Sequence, residues 1–188
     1  PQQSSLPFMD TRDQAASGRG FVAALDSPVI AGGDGNPVWD CSEFGFLEDS
    51  CPPTANPSLW RQSGLVAKHG LYEVTDRIYQ VRGFDLSNMT IVEGDSGVIV
   101  IDPLISSETA SAGLALYRAH RGERPVTGVI YTHSHIDHFG GVKGVTTQAA
   151  VDAGECVVIA PAGMVEHAVA ENVYAGTAMG RRACLLYT

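Results

Sequence analysis

The chain has 188 residues, 44% of them hydrophobic and 18% charged, which is enough for one domain with a real core and excludes a disordered tail. Lys and Arg number 12 against 21 Asp and Glu, a net charge of −9. Such a surface repels nucleic-acid phosphates and anionic lipid, which argues against a nonspecific role on either, while a local cation cluster could still hold a small anion.

Residues 1–69 read as an irregular N-terminal arm. Pro28, Gly32, Gly33, Gly35, Pro37, Pro52, Pro53 and Pro57 interrupt every long period. Short helical turns are expected near residues 11–24 and 57–67. The chain starts at Pro1, and its polar first residues lack the basic-then-apolar pattern of a signal peptide, so it reads as a mature form or a piece of a longer chain. The compartment is left open. No apolar run approaches the ~20 residues of a membrane span. Cys41, Cys51, Cys156 and Cys184 show no CxxC spacing. A Cys41–Cys51 bridge and four unpaired thiols are the two readings, the second favoured.

From Gly70 the pattern changes. Residues 71–74, 78–82, 89–93 and 97–102 are β-rich runs separated by turn formers. Residues 97–103 are almost continuously apolar, which predicts a strand buried on both faces. A helix is expected over 107–121 with Ser107 as its N-cap and Leu114, Leu116 and Tyr117 on its apolar face. A strand follows over 125–132 and runs into a histidine-rich loop. Gly140 and Gly141 are expected to open a helix. A strand at 156–160 and a helix at 163–172 complete the order. Strands first, then alternating helix and strand, predict an α/β sandwich with helices outside the sheets.

The chemistry is concentrated in Thr132-His133-Ser134-His135-Ile136-Asp137-His138-Phe139-Gly140-Gly141, which contains H-x-H-x-D-H. Neutral imidazoles and one carboxylate suit a borderline divalent metal. If the segment leaves its strand extended, positions 133, 135 and 137 point to one side. His133 and His135 then grip one metal, while a turn aims Asp137 and His138 at a second about 3.5–4 Å away. Such a pair lowers the pKa of shared water and polarises an electrophile. Asp137 is also the candidate catalytic group. His69, His120 and His167 are single histidines with surface or structural roles expected, and a helix surface accounts for Glu166 and Glu171.

This motif after a buried strand resembles the metallo-β-lactamase superfamily. Residues 83–90, 93–105, 120–145 and 166–182, with 56–62 and 67–70 in the arm, look like its alkyl sulfatase family, the dodecyl sulfate hydrolases. The resemblance covers roughly residues 20–183. It implies an αββα sandwich, here incomplete, with 70–188 as the N-terminal part of the catalytic domain. It implies two zinc ions per complete site, with His133 and His135 on one and Asp137 and His138 on the other. The implied reaction is hydrolysis of a linear alkyl sulfate ester to alcohol and sulfate, and the implied full-length form is a homodimer. The turn at Asp85–Asn88 reads as an Asx turn or a substrate contact. Asn172 and Tyr174 carry the same two readings.

Two catalytic zinc sites need more ligands than four residues offer. The family's remaining ligands, two glutamates and a histidine, have no positional match here. Asp152, Glu155, Glu166 and Glu171 do not supply them, and residues 184–188 depart from the family's continuation. The expectation is a truncated sulfatase with weak metal binding and an open apolar sheet face. The alternatives are a non-catalytic metal- or partner-binding fragment, and another hydrolase of the same superfamily.

Overall fold

The computed structural model describes residues 10–178 together with 180 and 181. Pro1, Met179, Arg182 and Cys184, with the departure from the family pattern at 184–188, lie outside the described residues.

One seven-stranded mixed sheet organises the chain. Its strands are β1 (Phe21–Ala23), β4 (Gly70–Thr75), β5 (Ile78–Arg82), β6 (Met89–Glu93), β7 (Val98–Ile101), β8 (Val126–Ile130) and β9 (Val157–Ile159), in that spatial order. Neighbours from β1 to β7 are antiparallel, and β7, β8 and β9 run parallel. The switch follows from the connections. Short turns join β4 to β7, whereas α3 (Ser107–Arg121) and α4 (Gln148–Asp152) supply the crossovers that parallel pairing needs.

Helix α3 lies on one face of the sheet. Its stripe of Ala110, Gly113, Leu114, Leu116 and Tyr117 is buried, within the same core as Val81, Met89, Ile91, Val100 and Val129. The N-cap is Ser106, one residue earlier than expected: its Oγ accepts from Thr109 N at 3.1 Å. Gly122 closes the helix at φ 87°, a left-handed position that glycine takes without strain.

The C-terminal end of α3 is anchored by Glu93 of β6, which is itself buried. Its Oε1 accepts from Tyr117 Oη at 2.8 Å and from Arg121 Nε at 3.1 Å. Arg121 holds the Glu93 carboxyl below the usual range, with Tyr117 pulling the same way against burial. A depressed carboxylate stabilises the fold above its unfolded pKa, and that contribution is lost as pH falls through the folded value. Glu93→Gln is expected to cost about 2 kcal/mol at neutral pH. It should also flatten the acid limb of the stability curve below the ordinary Glu pKa of about 4.3. Urea unfolding from pH 7 to pH 3 checks both.

The opposite face of the sheet is apolar and open. Ile78, Val92, Ile99 and Val157 share it through the register, as do Ile101, Ile130 and Ile159. Ile99 is 37% exposed, Val157 56% and Ile159 54%. The strand within 97–103 is therefore buried on one face only, contrary to the two-face expectation, because no second layer lies over it among the described residues. The open apolar face itself was expected.

The arm is more regular than its Pro and Gly content suggests. Helices α1 (Arg12–Gly18) and α2 (Pro57–Val66) form inside the two expected segments, tied by Arg61 Nη1 to Asp13 Oδ2 at 3.0 Å. β1 adds itself to the sheet edge beside β4, with Phe21 edge-on to Tyr72. β2 (Val29–Ala31) and β3 (Pro37–Asp40) make a separate hairpin, whose Trp39 Nε1 donates to Gly83 O at 3.1 Å. Tertiary contacts override the breakers here. Cys41, Cys51 and Cys156 are free, so the unpaired reading holds for the described cysteines.

Two later elements also differ. Gly140 and Gly141 do not open an α-helix; a single 3₁₀ turn, Val142–Gly144, follows them. Three glycines in five residues disfavour a helix and instead permit close backbone approach. The expected helix over 163–172 is α5 (Met164–Val169), which continues as a π-helical turn, Ala170–Tyr174.

Candidate metal centre

The histidine loop leaves the C-terminal end of β8, beside the end of β7, where open parallel sheets place their sites. Asp102 follows β7 with φ 54° and Leu104 with φ 62°. Left-handed non-glycine residues cost energy and cluster where geometry serves function. Asp102 N donates to Ile130 O at 2.9 Å, which locks the two strand ends together.

The Asp102 carboxylate is a hub. It accepts from Thr132 N at 2.8 Å, Thr132 Oγ1 at 2.6 Å and His138 Nδ1 at 2.8 Å. Since Thr132 Oγ1 spends its proton on Asp102, its oxygen accepts from His133 Nδ1, 2.9 Å away. His133 and His138 are thus both Nδ1–H tautomers, and each turns an unprotonated Nε2 outward. This is how oriented metal-binding histidines are held.

The loop residues converge in pairs. His133 Nε2 and His135 Nδ1 are 3.0 Å apart, and His138 Nε2 lies 3.4 Å from Asp137 Oδ2. Tetrahedral zinc with ligands about 2.0–2.1 Å away has donor–donor edges of about 3.3–3.4 Å. The Asp137–His138 pair matches that edge, and the His133–His135 pair is a few tenths of an ångström shorter, at hydrogen-bond distance. The rings of His133 and His138 lie tilted at 48° with centroids 4.1 Å apart, so the two pairs adjoin. Asp102, His133 and His138 also offer donor atoms within 4.8 Å of one another. Asp102 already accepts three hydrogen bonds, two of them on Oδ2, and through them it holds His138 and Thr132 in place.

Two supports hold the loop. Ser87 Oγ donates to Asp137 O. Asp85 receives Ser87 N at 2.9 Å, Ile105 N at 2.8 Å and Thr109 Oγ1 at 2.9 Å, which joins the loop to the start of α3. The Asp85–Ser87 contact is the Asx turn. Burial pushes the Asp85 carboxyl up, and its three donors pull against that. The second support is Gly141, whose N–H donates to Leu104 O at 2.9 Å.

All four sequence candidates, His133, His135, Asp137 and His138, are brought together. His120 and His167 are exposed and His69 is half-buried, as expected of single histidines. Asn172 Nδ2 donates to Ala168 O within its own helix and Tyr174 is 86% exposed. Glu171 differs from its surface reading: its carboxylate reaches Ser134 and His135. Sequence reasoning also passed over Asp102 and Thr132. An acidic residue closing an apolar strand just before Pro103 was the available signal for Asp102. Glu171 had none.

Residues 82–182 match the family described as the Metallo-beta-lactamase superfamily. A linear primary-alkylsulfatase of Pseudomonas sp. is 56% identical over 97% of this chain and 27% of that protein. The alkyl/aryl-sulfatase BDS1 of Saccharomyces cerevisiae is 53% identical over 94% of this chain and 28% of its own length. The solved structure of a stereoselective inverting sec-alkylsulfatase, Pisa1 from Pseudomonas sp., superposes with a TM-score of 0.88 at 50% identity, over 96% of this chain and 28% of that one. The chain therefore spans about a quarter of the length of these relatives.

Proposed function

From the premise that this chain belongs to the metallo-β-lactamase superfamily, we propose that it carries the first metal loop of a zinc-dependent hydrolase of linear alkyl sulfate esters. The observation that carries the reading is the pairwise convergence of His133 with His135 at 3.0 Å and of Asp137 with His138 at 3.4 Å, with the Nδ1 atoms of His133 and His138 already occupied. The alkylsulfatase relatives support the substrate class. Dimerisation of a longer form belongs to the same proposal.

His133 and His135 would hold one zinc, and Asp137 and His138 the other. The ions would supply Lewis acidity toward water and toward the ester's sulfate oxygens. The protein's part is orientation. Asp102 and Thr132 fix two imidazole tautomers, Ser87 fixes the Asp137 backbone, and the Asp137 carboxylate would orient water.

Among the described residues four donors converge, fewer than two three-ligand zinc sites need. Zinc uptake by the 188-residue chain is accordingly expected to be weak. Zinc titration followed by assays on dodecyl sulfate, a thioester and a phosphodiester tests the reading. Sulfate release above the other two supports it, and preference for either of the others overturns the substrate class. His135→Ala should abolish loading at the first position. Undiminished zinc stoichiometry in that variant would refute the ligand assignment.

A second reading, a non-catalytic fragment, is favoured by the open sheet face of Ile99, Val157 and Ile159. It predicts concentration-dependent self-association with no turnover, which sedimentation velocity beside the same assays would show.

A further inference from the structure

We infer that Trp39 is a positioning residue for the histidine loop: together with Cys41 it locks the Gly83 carbonyl, and residues 83–87 carry that lock to Asp137. The consequence for metal affinity rests on the proposed metal site; the positioning of the loop does not.

Residues 83–88 join β5 to β6, and they begin at a hinge. Gly83 has φ 71°, a region that glycine enters freely. A Cβ there would lie 2.8 Å from His69 Cβ, so the chain passes the end of the arm with no room for a side chain. Such a residue does not fix its own peptide plane. The arm does. Trp39 Nε1 donates to Gly83 O at 3.1 Å, and Cys41 Sγ donates to the same oxygen at 3.4 Å. Asp40 between them is extended, at φ −119° and ψ 103°, so residues 39 and 41 point to one side and reach one acceptor. Burial pushes the Cys41 thiol pKa up to about 11, which keeps its proton in place at neutral pH.

Beyond the hinge the segment has no slack. The Phe84 side chain is fully buried. Asp85 accepts from Ser87 N, Ile105 N and Thr109 Oγ1. Ser87 Oγ then donates to Asp137 O. Asp137 sits in the 3₁₀ turn Ile136–His138. There His138 N donates to His135 O at 3.0 Å, and Gly140 N donates to Ile136 O at 2.8 Å. Close-packed surroundings deform little, so a rotation of the Gly83 peptide is taken up by Ser87 and the turn it holds. The arm thus reaches the histidine loop through five residues of backbone and one hydroxyl.

Native-state hydrogen exchange of the metal-free chain reads this link. Trp39→Phe removes the Nε1–H and keeps an aromatic ring beside Phe44. The His138 and Gly140 amides should then exchange about 5-fold faster, the factor implied by losing one net hydrogen bond. A merely structural role would lower the melting temperature and leave these amides at wild-type rates, since the loop would open without disturbing Trp39. Ser87→Ala cuts the link, so in that background Trp39→Phe should no longer change the two amides. Cys41→Ala removes the weaker thiol donor and should act in the same direction with a smaller effect. Cys41→Ser, which keeps a donor, should restore wild-type exchange. If Trp39→Phe does not fold, the Cys41 pair carries the same comparison. Zinc affinity should fall in Trp39→Phe by a similar factor. Unchanged loop amides in Trp39→Phe overturn the inference, as does the same acceleration in the Ser87→Ala background. Wild-type zinc affinity beside accelerated amides overturns it as well. A chain that takes up no zinc yet shows Trp39-dependent exchange counts against the metal reading and upholds the positioning.

Discussion

Replacing Asp102 with alanine is expected to lower zinc affinity by roughly 100-fold, at the upper end of what losing an orienting partner costs. Two of the proposed ligands lose their orientation at once. His138 loses its direct acceptor, and His133 loses the one that fixes Thr132. The Thr132 N–H also loses its partner in a part-buried hydrogen bond, at about 1 kcal/mol. Alanine at φ 54° adds roughly 1 kcal/mol of backbone strain. Asp102→Asn separates these effects. Asparagine tolerates the left-handed backbone, so stability should largely recover. Its amide cannot accept all three hydrogen bonds, so affinity should stay low. Competition titration against a chelator, beside urea unfolding, reads both. Unchanged affinity in both variants would show that the hub does not orient the ligands.

Gly141→Ala should produce the largest loss of stability of any single methyl in this region, about 3 kcal/mol or more. An added Cβ would lie 2.1 Å from Pro103 O, 2.5 Å from Ser106 O and 2.9 Å from Ala110 Cβ. Two of these three are backbone atoms of the segment joining β7 to α3, so no side-chain rotation relieves the clash. The loop would have to lift away from Leu104 O, which breaks the Gly141 N–H bond. Asp137 and His138 precede this contact by a few residues, so zinc binding should fall together with the melting temperature. Gly154→Ala is the control. Nothing lies within 4 Å of its Cβ, and it carries only the cost of a left-handed φ of 73°. Equal losses at the two positions would mean that close packing at Gly141 is not what holds the loop.

Much of the candidate site was legible because its chemistry is local. H-x-H-x-D-H falls within six residues after an apolar strand, so spacing alone points to paired ligands. The alternation over 78–82 and 89–93 was legible for the same reason: a half-buried antiparallel strand writes its period into adjacent residues. The 97–103 run was half legible. Its apolar character marked a strand, but burial on the second face depends on what lies over Ile99, which no local pattern encodes. The arm was least legible. β1 forms because β4 offers a free edge, and Trp39 docks onto Gly83, 44 residues away.

By itself the sequence determined the types of the candidate ligands, their order on one loop and the strand that delivers them. Each is set by neighbours within a few residues, where chain geometry limits what side chains can reach. Tertiary structure alone decided which nitrogen His133 and His138 present. That choice is made by Asp102, 36 residues before His138, directly for His138 and through Thr132 for His133. A tautomer follows whichever acceptor folding brings within reach, and that is a matter of distance in space rather than along the chain.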